Sequence, residues 1–239
     1  MQRPPRNHTP FLSLLAALLV ACGGGGSGPI PEPTTYSAYA VTDNALYRVV
    51  LSGPGDDERV ATLNTSSVIT DLAWDGSDLY AVTFSTLVRI ETETGEVTTV
   101  GDLGSFTMNA LTADGDGTLY AASGSGGLYT VDKTTGRASL IGSLGLPASG
   151  DLAFTPEGTL YATVTSSPFA ETDTLATVDL TTGQATVIGE IGYPAVFGLD
   201  VQGGVLYGLT LGGELLTLDV TTGRATLVRE TELDFTGME

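Results

Sequence analysis

The stretch Met108–Gly145, MNALTADGDGTLYAASGSGGLYTVDKTTGRASLIGSLG, decides the fold. It divides into four short strand patterns: Ala110–Ala113, Thr118–Ala122, Gly127–Asp132 and Arg137–Ile141. Asp114-Gly115-Asp116-Gly117 joins the first pair and Lys133-Thr134-Thr135-Gly136 the last. The glycines and aspartates of the first accept the positive φ angles of tight hairpins, and the second reads as another hairpin turn. Leu119, Leu128, Val131 and Ile141 suit a buried, pleated surface. A lone sheet of this kind has two faces to cover and nothing to cover them with, so the unit has to be repeated.

The copies are present. The Leu-Tyr pair of the second strand recurs at Tyr80, Tyr120, Tyr161 and Tyr207, with an Ala-Tyr version at Tyr39; the spacings from Tyr39 onward are 41, 40, 41 and 46 residues. The Thr-Gly turn recurs at Gly95, Gly136, Gly183 and Gly223. The fourth strand recurs as 97–100, 138–141, 185–188 and 225–228. Four strands with a period near 40 residues indicate an all-β propeller. Five blades are expected, at about 36–66, 69–104, 108–145, 149–192 and 197–229. The first lacks its opening strand. The segment Glu232-Leu233-Asp234-Phe235-Thr236-Gly237 follows the fifth and matches Asp71-Leu72-Ala73-Trp74-Asp75-Gly76. The expectation is that residues 232–237 complete the first blade and close the ring, which removes exposed sheet edges.

The pattern Leu-Tyr-Ala followed by Val-Asp-x-Thr-Thr-Gly-x-Ala-Thr-x-Ile-Gly resembles the bacterial propeller superfamily that includes the NHL, YVTN and quinoprotein-like types. The resemblance runs from Tyr36 to the end and rests on scaffold residues, so it implies a fold. The tryptophan that quinoprotein repeats carry after the Asp-x-x-Thr-Gly turn is absent from all four corresponding strands.

Ahead of the repeats, Arg3 and Arg6 precede an apolar run from Phe11 to Val20, then Leu19-Val20-Ala21-Cys22. A basic start and a short apolar run form a secretory signal, too short to span a bilayer. Leu-x-Ala-Cys resembles a bacterial lipobox, which implies a signal peptide over 1–21 and lipidation of Cys22, the only cysteine. Residues 22–35, glycine-rich and then proline-rich, read as a tether, and 36–239 as the propeller domain. The reading is a monomer anchored in the cell envelope through a lipid, outside the cytoplasm.

The whole chain has 9 Lys and Arg against 28 Asp and Glu. Two of the nine, Arg3 and Arg6, lie in the signal, so the mature formal charge is −21. Such a charge argues against nucleic acid and anionic lipid surfaces as partners. His8, the only histidine, is in the signal, and Lys133 is the only lysine. The domain therefore has no Ser-His-Asp triad, no Cys-His pair and no His-ligated zinc.

Function is expected on loops. The face holding the second-to-third-strand loops carries one insertion, Val164–Thr174, with Phe169, Glu171 and Asp173 as candidate ligand-binding residues. Alignment of first-strand starts places Asp71, Asp151 and Glu232 around the channel mouth, where three carboxylates suit Ca²⁺; the plain alternative is solvated residues capping local turns. Asp132, Asp179 and Asp219 are expected to accept hydrogen bonds within the Thr-Gly turns. Trp74 is expected in the core, and an exposed Trp74 would instead suggest a sugar-stacking platform. The function expected is binding or scaffolding of a protein or glycan, without a cofactor. The alternative is a carboxylate- or Ca²⁺-dependent hydrolase or lyase acting on a carbohydrate or lactone.

Overall fold

A computed structural model describes Thr34–Glu239, apart from residues 105–106 and 168–169. The signal, Cys22 and most of the tether lie outside the described residues. The chain runs through β1 (Tyr36–Val41), β2 (Ala45–Ser52) and β3 (Glu58–Thr62), then β4 (Asp71–Trp74), β5 (Leu79–Val82), β6 (Thr86–Ile90) and β7 (Val97–Asp102). The next four are β8 (Met108–Ala113), β9 (Leu119–Ser123), β10 (Gly127–Val131) and β11 (Ala138–Ser143). Then come β12 (Ala148–Phe154), β13 (Leu160–Val164), β14 (Thr174–Val178) and β15 (Ala185–Glu190). The last are β16 (Val196–Gln202), β17 (Val205–Thr210), β18 (Glu214–Leu218), β19 (Ala225–Glu230) and β20 (Gly237–Met238). They form five antiparallel four-stranded sheets, the blades of a β-propeller, and the first has the order β20-β1-β2-β3.

The ring is closed by the end of the chain, as expected, but the closing strand is shifted along the sequence. Gly237 and Met238 pair with Val41 and Ala40, whereas residues 232–236 form the connection into that strand. Thr236 Oγ1 donates to Ile69 O at 2.8 Å, as Thr70 Oγ1 does to Met108 O at 3.1 Å. Thr236 is therefore the counterpart of Thr70, and Gly237 that of Asp71. Phe235 is 1% exposed and meets Tyr47 edge-on at 6.0 Å, so the apolar residues of the segment fill the seam between the first and fifth blades.

The apolar residues collect in five clusters, each between two neighbouring blades. Burial against both neighbours explains why inner strands such as Leu160–Val164 are buried at every position instead of alternating.

Two repeated glycines meet at three of these seams. A Cβ at Gly101, Gly142 or Gly189, each in an outer strand, would collide with the carbonyl of Thr135, Thr182 or Thr222 in the following blade's Thr-Gly turn. The turn glycines Gly136, Gly183 and Gly223 lie against those same outer-strand glycines, with φ between +75° and +80°. The motif that marks each repeat is thus one half of a backbone contact whose other half belongs to the preceding blade.

The closing seam lacks this pair. The fifth blade has Arg229 where Gly101, Gly142 and Gly189 stand, opposite Leu215. Its guanidinium donates to Val50 O at 2.9 Å and pairs with Asp57 Oδ1 at 2.5 Å in the first blade. In the turns themselves, Asp132 Oδ1 accepts from Thr134 N at 2.8 Å and Thr135 N at 2.9 Å, and Asp179 and Asp219 do the same.

Candidate functional site: the central channel and its two mouths

Inner strands start at what we call the upper mouth and end at the lower one. Homologous positions form layers across the channel. The first layer is Gly237, Asp71, Ala110, Asp151 and Gly198. Two residues further, on the same side of each strand, are Glu239, Ala73, Thr112, Ala153 and Asp200.

Asp71 and Asp151 are both 0% exposed. Asp71 accepts from its neighbour Leu72 N at 2.8 Å and from Leu111 N of the next blade at 2.7 Å. Asp151 repeats the arrangement with Leu152 N and Leu199 N, both at 2.5 Å. Each carboxyl thus ties one blade to the next by capping an inner-strand N–H that has no further strand to pair with. Gly237 makes room, because a Cβ there would lie 2.5 Å from Asp71 Oδ1.

Burial, then the Asp151 charge and a hydrogen bond to its carboxyl, push Asp71 well above the usual carboxylate range. Burial raises Asp151 to about 8, against its hydrogen bonds from Asp71 and two backbone amides. Both carboxyls therefore hold their protons to higher pH than a free carboxyl does.

Asp200 and Glu239 extend the cluster downward. Burial raises Asp200 to about 6, opposed by its hydrogen bond from Gln202. Glu239 is pushed well up by burial and by the charges of Asp200 and Asp151, against hydrogen bonds from Trp74 N and Thr112. Sequence alignment of strand starts missed both residues; continuing it two positions along each inner strand exposes them.

Of the sequence-selected carboxylates, the structure brings Asp71 and Asp151 together and sets Glu232 apart. Glu232 is exposed in the connection before β20, because the register there is set by Thr236. Among the described residues no group of three carboxylates is arranged to hold a metal ion. The acceptor capacity of Asp71 and Asp151 is spent on backbone amides and on each other.

Of the insertion residues, Phe169 lies outside the described residues and Glu171 is exposed. Asp173 is only 6% exposed. Its Oδ2 accepts from Val196 N at 2.8 Å and its carbonyl from Ile191 N at 2.9 Å, so it anchors the insertion to the fifth blade. Burial raises its carboxyl, opposed by the Val196 amide.

The upper mouth is a cavity of about 220 Å³ lined by Val68, Thr70, Phe84, Asn109, Ser149, Phe197 and Thr236. Val68 and Phe84 are 46% and 53% exposed there. Asn109 Nδ2 donates to Ala148 O at 2.9 Å, while its Oδ1 is buried with no partner.

The lower mouth differs in chemistry. Its cavity, about 260 Å³, is lined among others by Tyr39, Arg48, Trp74, Asp200, Gln202 and Glu239. Trp74 is 41% exposed rather than in the core, because β4 is four residues long and Trp74 ends it.

No family model and no curated protein matches the chain. Solved structures do share its fold. A chain in a nidogen/laminin complex superposes with a TM-score of 0.56 at 13% identity, covering 84% of this chain and 82% of that one. A Bacteroides thetaiotaomicron VPI-5482 protein of unknown function gives a TM-score of 0.58 at 16% identity, over 88% of this chain and 61% of that one. A structure from work on the de novo evolutionary emergence of a symmetrical protein gives 0.55 at 19%, over 85% and 93%. At these identities the likeness defines the class of protein, a β-propeller, and carries no ligand or activity.

Proposed function

We propose that this chain is a lipid-anchored, extracytoplasmic binding propeller that takes a protein partner at its upper mouth. The observation that carries the reading is the pairing of exposed Phe84 and Val68 with the unpartnered Asn109 Oδ1 around one cavity. An apolar side chain of a partner fills such a cavity, and a neighbouring amide N–H supplies the missing donor. A glycan offers too little apolar surface for this mouth. The chain enters β1 on the lower face, opposite this mouth, and the Val164–Thr174 insertion flanks the upper side. The anchor is the lipobox cysteine, Cys22.

A photo-crosslinking amino acid at position 84, in the protein in its native envelope, tests this. A discrete protein adduct from position 84, absent when the crosslinker replaces Leu140 on an outer strand, is the expected result. No adduct from 84, or the same adducts from both sites, overturns the protein-partner reading. For the anchor, Cys22→Ser should shift the chain from the membrane to the soluble fraction; retention in the membrane refutes lipidation as the attachment.

A further inference from the structure

We propose that the lower mouth is a binding site for a single neutral sugar ring. This is independent of the upper-mouth reading. The Trp74 ring is exposed beside Tyr39, the two centroids 6.3 Å apart and tilted by 36°. Both rings line the cavity. The C–H face of a pyranose packs on an exposed aromatic ring such as that of Trp74, whose hydrophobic area is large and held by few rotatable bonds.

The polar lining matches the edge of that ring. Asp200 and Glu239 offer carboxyl oxygens, and Gln202 and Arg48 offer N–H donors. Gln202 Nε2 donates to Asp200 Oδ2 at 3.2 Å, which sets an amide donor beside carboxyl acceptors. Vicinal hydroxyls, each both donor and acceptor, satisfy that combination without bringing net charge. At about 260 Å³ the cavity is below the roughly 300 Å³ at which pockets for drug-sized ligands begin, which suits one ring and not a buried chain.

An organic cation is the rival ligand for aromatic rings beside carboxyls. Arg48 argues against it. Its guanidinium carbon is 5.7 Å from the Tyr39 centroid, where an ammonium group would have to sit. It also pairs loosely with Glu58, at 3.8 Å.

Trp74 is the only tryptophan in the chain, so tryptophan emission reports on this cavity alone. The full chain is titrated with glucose, galactose, mannose and N-acetylglucosamine, and separately with tetramethylammonium. The expected result is a saturable emission change with at least one sugar. Gln202→Ala should weaken it about tenfold, the value of one lost hydrogen bond with its partner left unpaired, and Leu140→Ala should leave it unchanged. Trp74→Phe, followed by thermal melting, should reduce the sugar-induced rise in Tm. No saturable change with any of the four sugars overturns the proposal, as does a response to tetramethylammonium alone or an affinity indifferent to Gln202→Ala.

Discussion

Replacing Asp200 by asparagine tests whether the channel carboxyls set the stability of the ring. Burial carries Asp200 to about 6, roughly two units above the unfolded value of about 3.9. The folded protein keeps a proton that the unfolded chain has released. The sign is therefore the reverse of an ion-paired carboxylate: stability is fully present below pH about 4 and is lost as pH rises through about 6. Two units at about 1.4 kcal/mol each give roughly 3 kcal/mol for this group. Asp71, Asp151 and Glu239 shift in the same direction, and Asp151 extends the window to about 8. Asp132, Asp179 and Asp219 oppose them only on the acid side, because hydrogen bonds lower their values, from backbone amides at Asp132 and Asp179 and from the Thr221 hydroxyl and then its amide at Asp219. The wild type should thus be most stable near pH about 4.5 and lose at least roughly 3 kcal/mol by pH about 8.5. The assay is urea unfolding across that range, in about 1 M salt so that repulsion among surface carboxylates is screened to about 3 Å. Asp200→Asn keeps an acceptor for Gln202 and should shrink the loss by roughly 3 kcal/mol. A wild-type profile that is flat or rises over this window refutes the reasoning, as does a variant profile that parallels it.

Two further predictions concern the seams. Arg229→Ala should cost about 1–3 kcal/mol, and a double-mutant cycle with Asp57→Ala should return a clear coupling, since the pair is half-buried and also binds Val50 O; a coupling near zero means the closing seam is held by apolar packing alone. Gly142→Ala should cost at least about 2 kcal/mol, because its Cβ would enter the Thr182 carbonyl. Gly145→Ala, at φ +79° with open space around it, should cost only the backbone strain of about 1–2 kcal/mol. Equal costs for the two, read by denaturant midpoints, would show that the glycine-to-turn contact does not hold the blades together.

The blades were legible in the sequence because each repeat carries its own turn chemistry and its own buried pattern. Strands of the third blade fall within two residues of their expected bounds. Closure was legible by counting, since one opening strand was missing and one spare segment followed. Its register was not, because Leu233 and Phe235 imitate a strand while packing a seam, and the real β20 is only two residues long. Asp71 and Asp151 emerged from alignment of strand starts. Trp74 was misplaced because an inner strand was assumed to be buried to its end. The repeated glycines were read as turn formers; their second role, close approach of backbones between blades, involves a partner in a different repeat and so leaves no local pattern.

The channel acids bear on where function can lie. Asp71 and Asp151 resemble a catalytic pair in being buried, close and displaced upward, and such displacement often marks an active site. Here their hydrogen bonds give another cause. Five inner strands face one another across a narrow axis, each with an edge of unpaired amides, and a buried amide without a partner costs on the order of 1–3 kcal/mol. A carboxyl that caps its own strand and the neighbouring one removes two such costs at once. Only two of the five positions carry it, and Ala110, Gly198 and Gly237 leave the space. A cluster that repairs strand edges cannot also open to substrate without giving up those bonds. The two mouths differ from the channel in having exposed side chains, and from each other in lining: apolar around the unpartnered Asn109 Oδ1 and Ser149 Oγ above, aromatic with paired donors and acceptors below.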